Sequence, residues 1–225
     1  FLGTLLNTYA FFALYANIDR FTYSENPVPL RERPEIDRWI ISSLHSLVRN
    51  YVQAMDGYDV TKAARAVSDF TIDQLSNWYV RRNRRRFWKN EQGGNKTSAY
   101  QTLYECLTTV TKLMAPFAPF LAERIYLNLN SVTGKETFAS VHLAAIPEID
   151  ASMVDEELES RMEKAQRIVS LARAIRNKSN LKVRQPLTRV IIPVSSERAK
   201  EAIKRMEDVI LDEINVKQIE FVDDD

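Results

Sequence analysis

The sequence predicts a mainly α-helical fold: a helical bundle over residues 1–150 followed by a small α/β subdomain over 151–225. Three observations point there. Apolar residues recur at helical spacing through most of the first 130 positions. Clusters of prolines and polar turn formers, as in FTYSENPVPLRER and NEQGGNKTS, divide this pattern into successive helices. Beyond residue 185, two short β-branched runs, TRVIIPV and VKQIEFV, flank a helical pattern.

Taken in order, Leu2, Leu5, Leu6, Tyr9, Phe12 and Ala13 set a helix over residues 1–18. The stretch FTYSENPVPLRER carries two prolines and polar turn formers and reads as a loop. Pro34 suits the start of the next helix, where its missing N–H costs nothing. Ile36, Trp39, Ile40, Leu44, Leu47, Val48 and Tyr51 line one side of that helix, which ends near Asp56-Gly57. Asp59 is placed to cap a long helix running to Trp88. NEQGGNKTS, residues 90–98, reads as a flexible turn, and residues 98–114 as a further helix broken by Pro116 and Pro119. A helix then continues to Asn130, TFASVHL reads as extended, and Pro147 with its acidic neighbours marks a boundary. In the last part, Leu158, Met162, Ala165, Val169 and Ala172 form a helical stripe. A strand, a helix over SSERAKEAIKRMEDVI and a second strand complete the chain, and no internal repeat is visible.

Composition excludes several classes. With 45% hydrophobic and 27% charged residues the chain has the balance of a soluble globular protein, not a disordered one. One cysteine, Cys106, permits no intramolecular disulfide and no cysteine-based zinc site. The two histidines, His45 and His142, lie far apart in sequence and suggest no metal centre. No apolar run is long enough to span a membrane, and the apolar N-terminal stretch lacks a basic lead, so the cytoplasm is the expected compartment. The first residue, Phe1, falls inside an apolar helical pattern with no cap before it, which reads as a piece of a longer protein. Catalytic signatures are absent: no glycine-rich phosphate loop and no Ser/His/Asp set. His45, among leucines on a helix, reads as structural, and Asp155, Glu156 and Glu157 read as an acidic helix start.

The sharpest local feature is NWYVRRNRRRFWK, residues 77–89. From Trp78 to Lys89 it holds five arginines, one lysine and no acid. At 100° per residue, Arg81, Arg82, Arg85, Arg86 and Lys89 fall within an arc of roughly 140° that also contains Trp78. Val80 and Phe87 point the other way, toward a core. Such a face suits RNA, because guanidinium groups neutralise phosphates and stack on bases while aromatic rings accept unpaired bases. The competing reading is a solvated helix, but a solvated face ordinarily mixes signs at i,i+4, and this one does not. For Trp78 itself, partial core burial is favoured over base stacking. A second basic area contains Arg173, Arg176, Lys178, Lys182, Arg184 and Arg189; Arg176 continues the apolar stripe, turning its end cationic. Simple loop solubility is the favoured reading there, phosphate contact by Arg173, Arg176, Lys182 and Arg184 the alternative.

LSNWYVRRNRRRFW at 75–88 resembles the anticodon-binding region of isoleucyl-tRNA synthetases. FLGTLLNTYAFFALYANID, ERPEIDRWIISSLHSLV, LMAPFAPFLAERIYLNL and RAIRNKSNLKVRQPL resemble successive stretches of the same enzymes, so the likeness covers residues 1–187. The DRW and APF pieces are shared with the valyl and leucyl relatives; NWYVRRNRRRFW followed by VRQPL is more specific. The resemblance implies a bundle of four to five helices that holds a tRNA anticodon stem-loop, then the start of a C-terminal extension. It implies a parent ligase that joins isoleucine to its tRNA with ATP and magnesium. The two ATP-binding signatures, the editing domain and the zinc-binding cysteines of some members do not occur here, so the chain alone is expected to bind RNA and catalyse nothing. A helical scaffold for an acidic protein, and the equivalent domain of a valyl enzyme, remain the alternatives.

Overall fold

A computed structural model describes residues 1–24, 26–88 and 93–223. It divides into two compact units, Phe1–Val154 and Asp155–Asp225. The first is a helical bundle and the second a small α/β assembly, as the sequence patterns predict. Among the described residues, no helix is long and apolar enough to cross a membrane.

In the first unit, α1 spans Leu2–Asp19, α2 Glu35–Asp56, α3 Val60–Asp69, α4 Arg81–Trp88, α5 Gly94–Met114 and α6 Pro119–Thr133. The core lies on α5, where Leu103, Leu107, Val110, Leu113 and Met114 are fully enclosed. Ile40, Leu47 and Tyr51 of α2, Leu5 of α1 and Ile125 of α6 add to it. The Asp59 carboxylate accepts a hydrogen bond from the Lys62 N–H at 2.9 Å and caps α3 as expected. Pro119 begins α6, and Gly134, in the left-handed region at φ 59°, ends it.

The expected single helix from Asp59 to Trp88 is continuous but not uniform. Phe70–Val80 winds as a π-helix between α3 and α4. Side chains compete for backbone acceptors at both ends of it. Thr71 Oγ1 donates to the Val67 carbonyl at 2.7 Å, and Asn83 Nδ2 donates to the Tyr79 carbonyl at 2.8 Å. The wide turn buries Phe70, Thr71, Leu75 and Tyr79 on one side, a spacing of four that a regular α-helix would slowly rotate away from the core.

Two local expectations need correction. Gly94–Ser98, read as part of a flexible turn, are the first turn of α5. Tertiary contacts outweigh the glycine there: Lys96 Nζ sits 2.6 Å from Asp19, and Ser98 is held by Arg86. Val141–Leu143, read as extended, form a 3₁₀ turn because Glu123 accepts hydrogen bonds from Ser140 Oγ and the Val141 N–H. The loop after α1 is tied down by its own residues. Buried Arg33 bonds Glu105, Thr102 and the Val28 carbonyl, and Gln101 accepts from the Val28 N–H at 2.8 Å.

The second unit holds α7 (Glu156–Lys178), β1 (Leu187–Val194), α8 (Glu197–Lys204), α9 (Glu207–Ile214) and β2 (Val216–Asp223). The strands pair in parallel, with Ile192 opposite Phe221, because α8 and α9 carry the chain across between them. Leu158, Met162, Ala165 and Val169 of α7 pack inward as their spacing predicts. The single helix expected over 195–210 is two, since the chain breaks at Arg205-Met206 where Met206 is buried. No glycine or proline announces that break.

Burial pushes the Tyr79 phenol well above its usual value, with the Asp37 charge adding to it. Burial likewise raises Tyr23, beside Glu105, and Tyr100, which donates to Asp19. Free phenols ionise near pH 10, so the stability these groups confer is intact below about pH 10 and drains as pH climbs toward their folded values. We expect phenolate absorbance and loss of helical circular dichroism to rise together in alkaline titration. Complete phenol ionisation near pH 10 with the helices intact would contradict this assignment.

Candidate nucleic-acid interface

The basic helix α4 is anchored by two inward residues. Phe87 is 1% exposed and packs edge-on against Phe11 and Tyr100, with ring centroids 5.1 and 5.0 Å apart. Asn83 is buried and bonds back to Tyr79. These two set the phase of the helix, and the phase differs from the sequence expectation.

Arg86, placed by the sequence on the outward face, turns inward. Its guanidinium grips the fully buried Asp37 of α2 through two parallel bonds, Nη1 to Oδ1 at 2.6 Å and Nη2 to Oδ2 at 2.8 Å. It also donates to Asn83 Oδ1, the Asn95 carbonyl and Ser98 Oγ. The Tyr79 hydroxyl donates to the same Asp37 at 2.9 Å. Burial, the largest single influence, works against the Arg86 charge, but hydrogen bonding to Asp37, the Asp37 charge and the neighbouring Tyr79 together outweigh it and hold the guanidinium above its usual pKa. Arg86 therefore ties α4 to α2 and to the start of α5.

The outward face consists of Arg81, Arg84, Arg85 and Trp88, all exposed. They share an arc of roughly 100° at helical spacing. Arg84 and Trp88 are the members that sequence projection missed, because its arc extended from Arg81 toward Arg82 and Arg86, and both lie beyond the Arg81 edge. Neither Arg84 nor Arg85 has a hydrogen-bond or ion-pair partner among the described residues. Arg81 donates to the Asn77 carbonyl at 2.7 Å and lies over the half-buried Trp78, 6.0 Å from the ring centroid. Arg82 is half-buried at the margin, and Lys89 lies outside the described residues.

The second basic area divides in the same way. Arg176 is 4% exposed. Its guanidinium donates to four carbonyls, those of Lys182, Gln185, Ile214 and Asn215. Arg173 pairs with buried Glu213. Lys182 and Arg184 are exposed on the loop that Arg176 holds. Arg176 thus spends its charge inside the fold and Arg173 spends its charge on Glu213 at the surface edge, while Lys182 and Arg184 face outward. His45, half-buried, accepts from the Asp150 N–H at 3.3 Å, and burial lowers its pKa, so the neutral ring acts as a structural acceptor.

The sequence over residues 37–192 matches the family described as the anticodon-binding domain of tRNA ligase. The chain is 52% identical over 224 residues to an isoleucine–tRNA ligase of Cytophaga hutchinsonii, covering 100% of this chain and 20% of that protein. It is 53% identical to one from Bacteroides thetaiotaomicron, covering 99% of the chain and 19% of the relative. A Thermus thermophilus isoleucine–tRNA ligase is 44% identical, covering 98% of the chain and 21% of the relative. The chain spans about a fifth of the length of these relatives. With a helical bundle, a cationic helix face and a family match that runs from α2 into β1, the chain belongs to the anticodon-binding domain family of tRNA ligases.

Proposed function

We propose that this chain is the tRNA-binding part of an isoleucine–tRNA ligase and that it holds an anticodon stem-loop against α4. One observation carries the surface assignment. Arg81, Arg84 and Arg85 share an exposed strip with no acid anywhere between Trp78 and Trp88. Phosphates can neutralise the guanidinium charges along this strip, and the guanidinium planes can also meet unpaired bases. Arg82 and Trp78 flank the strip, and Lys89 extends its charge in sequence. Lys182 and Arg184 form a second contact area within the other unit. Arg86, Arg173 and Arg176 shape these surfaces without spending their own charge on RNA.

The full-length ligase would use ATP and magnesium to join isoleucine to its tRNA in the cytoplasm, and this chain would contribute RNA recognition. Among the described residues, no group of three or more His, Cys, Asp or Glu side chains is arranged to hold a metal.

Salt dependence tests this reading. Each phosphate contact to single-stranded RNA contributes roughly 0.7 to the log–log slope of affinity against salt. The Arg84→Ala/Arg85→Ala double variant is therefore expected to weaken binding of an isoleucine tRNA stem-loop and to flatten the slope by roughly 1.4. Its fold should persist, since exposed arginines contribute little stability and alanine favours helix. Unchanged affinity and slope would remove α4 from the binding surface. Tighter binding of an acidic protein than of the stem-loop would favour the scaffold reading. Equal binding of isoleucine and valine stem-loops would overturn the isoleucine assignment for this part of the enzyme.

A further inference from the structure

The three tryptophans meet different fates. Trp39 is 2% exposed and belongs to the core. Trp78 is half-buried beneath the Arg81 guanidinium. Trp88, the last residue of α4, is 54% exposed. It is the largest apolar side chain on the strip and lies between Arg84 and Arg85 in helical projection, roughly 20° from Arg81. Exposed aromatics occur elsewhere, but their settings differ. Phe120, 91% exposed, is followed on its helix by Glu123 as well as Arg124, so no uninterrupted run of cations accompanies it. An indole exposed on an acid-free cationic strip combines a π-face with charges that draw a polyanion to it. Every base offers a complementary face, and guanidinium groups on either side can take the flanking phosphates.

We propose that Trp88 is a stacking platform for one unpaired base of an RNA loop, with Arg84 and Arg85 holding the phosphates on either side of that base. This rests on the reading of α4 as an RNA-binding face. It assigns to Trp88 the role that sequence spacing offered to Trp78.

The test uses the full chain and an anticodon stem-loop hairpin, together with a set of hairpins in which each loop base in turn is replaced by an abasic site. Trp88→Ala is expected to weaken binding of the intact hairpin about tenfold or more. Trp88→Phe, which keeps a π-face, recovers most of the loss. The salt slope of Trp88→Ala stays at the wild-type value, because no charge is removed. One abasic hairpin, and only one, binds wild type and Trp88→Ala equally well, and that position identifies the stacked base. If Trp88→Ala binds as wild type while Arg84→Ala/Arg85→Ala still loses affinity and slope, stacking is overturned and the RNA face stands. Equal weakening by Trp88→Ala across every abasic hairpin also overturns stacking, and points to a general packing role. Binding without salt dependence, or none, removes the RNA face and the stacking proposal together. Circular dichroism of each variant confirms that the helices are retained.

Discussion

Replacing Asp37 with asparagine is expected to destabilise the first unit by about 3–5 kcal/mol, because it strands the Arg86 charge in a site it cannot leave cheaply. The Arg86 side chain is 14% exposed and that of Asp37 0%. The pair is bidentate, and Tyr79 completes the shell of the carboxylate. In a chain of this size the melting temperature should fall on the order of 10 °C. Arg86→Gln should cost a similar amount, now by leaving a buried carboxylate without its cation. The informative variant is the double, Asp37→Asn/Arg86→Gln. It buries no charge, so it should recover much of the lost stability instead of summing the two costs. It also separates two roles for Arg86. If Arg86 only positions α4, the folded double variant binds RNA with the wild-type salt slope. A slope flattened by roughly 0.7 would show that Arg86 itself meets a phosphate. Strict additivity of the two single variants in denaturant unfolding would sink the picture of a coupled pair.

That pair also shows where sequence reading stops. The apolar periodicity of residues 35–56 correctly identifies the buried face of α2, because burial of Ile40, Leu44, Leu47 and Tyr51 is a local consequence of spacing. Asp37, a charged residue in the first turn of the same helix, looks like an ordinary favourable helix start. Its burial depends on Arg86, 49 residues away, and on Tyr79, and no local pattern reports such a meeting. The same blindness placed Arg86 outside. A projection at 100° per residue fixes relative angles on α4, but only Phe87 and Asn83 fix which angle faces the core. Asn83 carries no local sign of burial, being a lone polar residue inside an arginine run. Once its side chain is seen to bond the Tyr79 carbonyl, the whole strip rotates and Arg84 and Trp88 come to the surface. The π-helix at Phe70–Val80 has a faint signal in Thr71 and Asn83, both able to bond a carbonyl four residues earlier, but many threonines do so in plain α-helices. The strands of the second unit were legible because β-branched runs there are short and bounded; the break at Met206 was not, because burial of one side chain overrode an unbroken helical pattern.

The other large effect is expected at Arg176, whose guanidinium is the shared donor for carbonyls from two separate segments. The bonds to Lys182 and Gln185 hold the loop after α7, and those to Ile214 and Asn215 close the C-terminal end of α9, where Asn215 adopts a left-handed φ of 52°. Helix ends leave carbonyls without partners, and here a buried cation at the favourable end of the helix dipole satisfies them. Arg176→Met keeps much of the aliphatic stem and removes every donor. The carbonyls of Gln185 and Ile214 must then open to water or stay unsatisfied, while Lys182 keeps the Gln185 N–H and Asn215 keeps the Leu187 N–H, at a cost of about 3–4 kcal/mol given that charged hydrogen bonds contribute roughly 1.5–3 each and do not sum. The second unit has a small core of its own, centred on Val169, Met206, Ile210 and Ile214, so a loss of that size is a large part of its stability. Hydrogen exchange should therefore accelerate at Leu181, whose N–H bonds the Arg176 carbonyl, and at Leu187, whose N–H bonds the Asn215 carbonyl, and through β1 and β2. Amides in α2 and α5 of the first unit should keep their protection. Arg176→Lys, a single ammonium in place of a planar fork, should rescue only part of the loss. If Arg176→Met instead left exchange and unfolding unchanged while weakening stem-loop binding, Arg176 would be an RNA contact and its cage of carbonyls incidental.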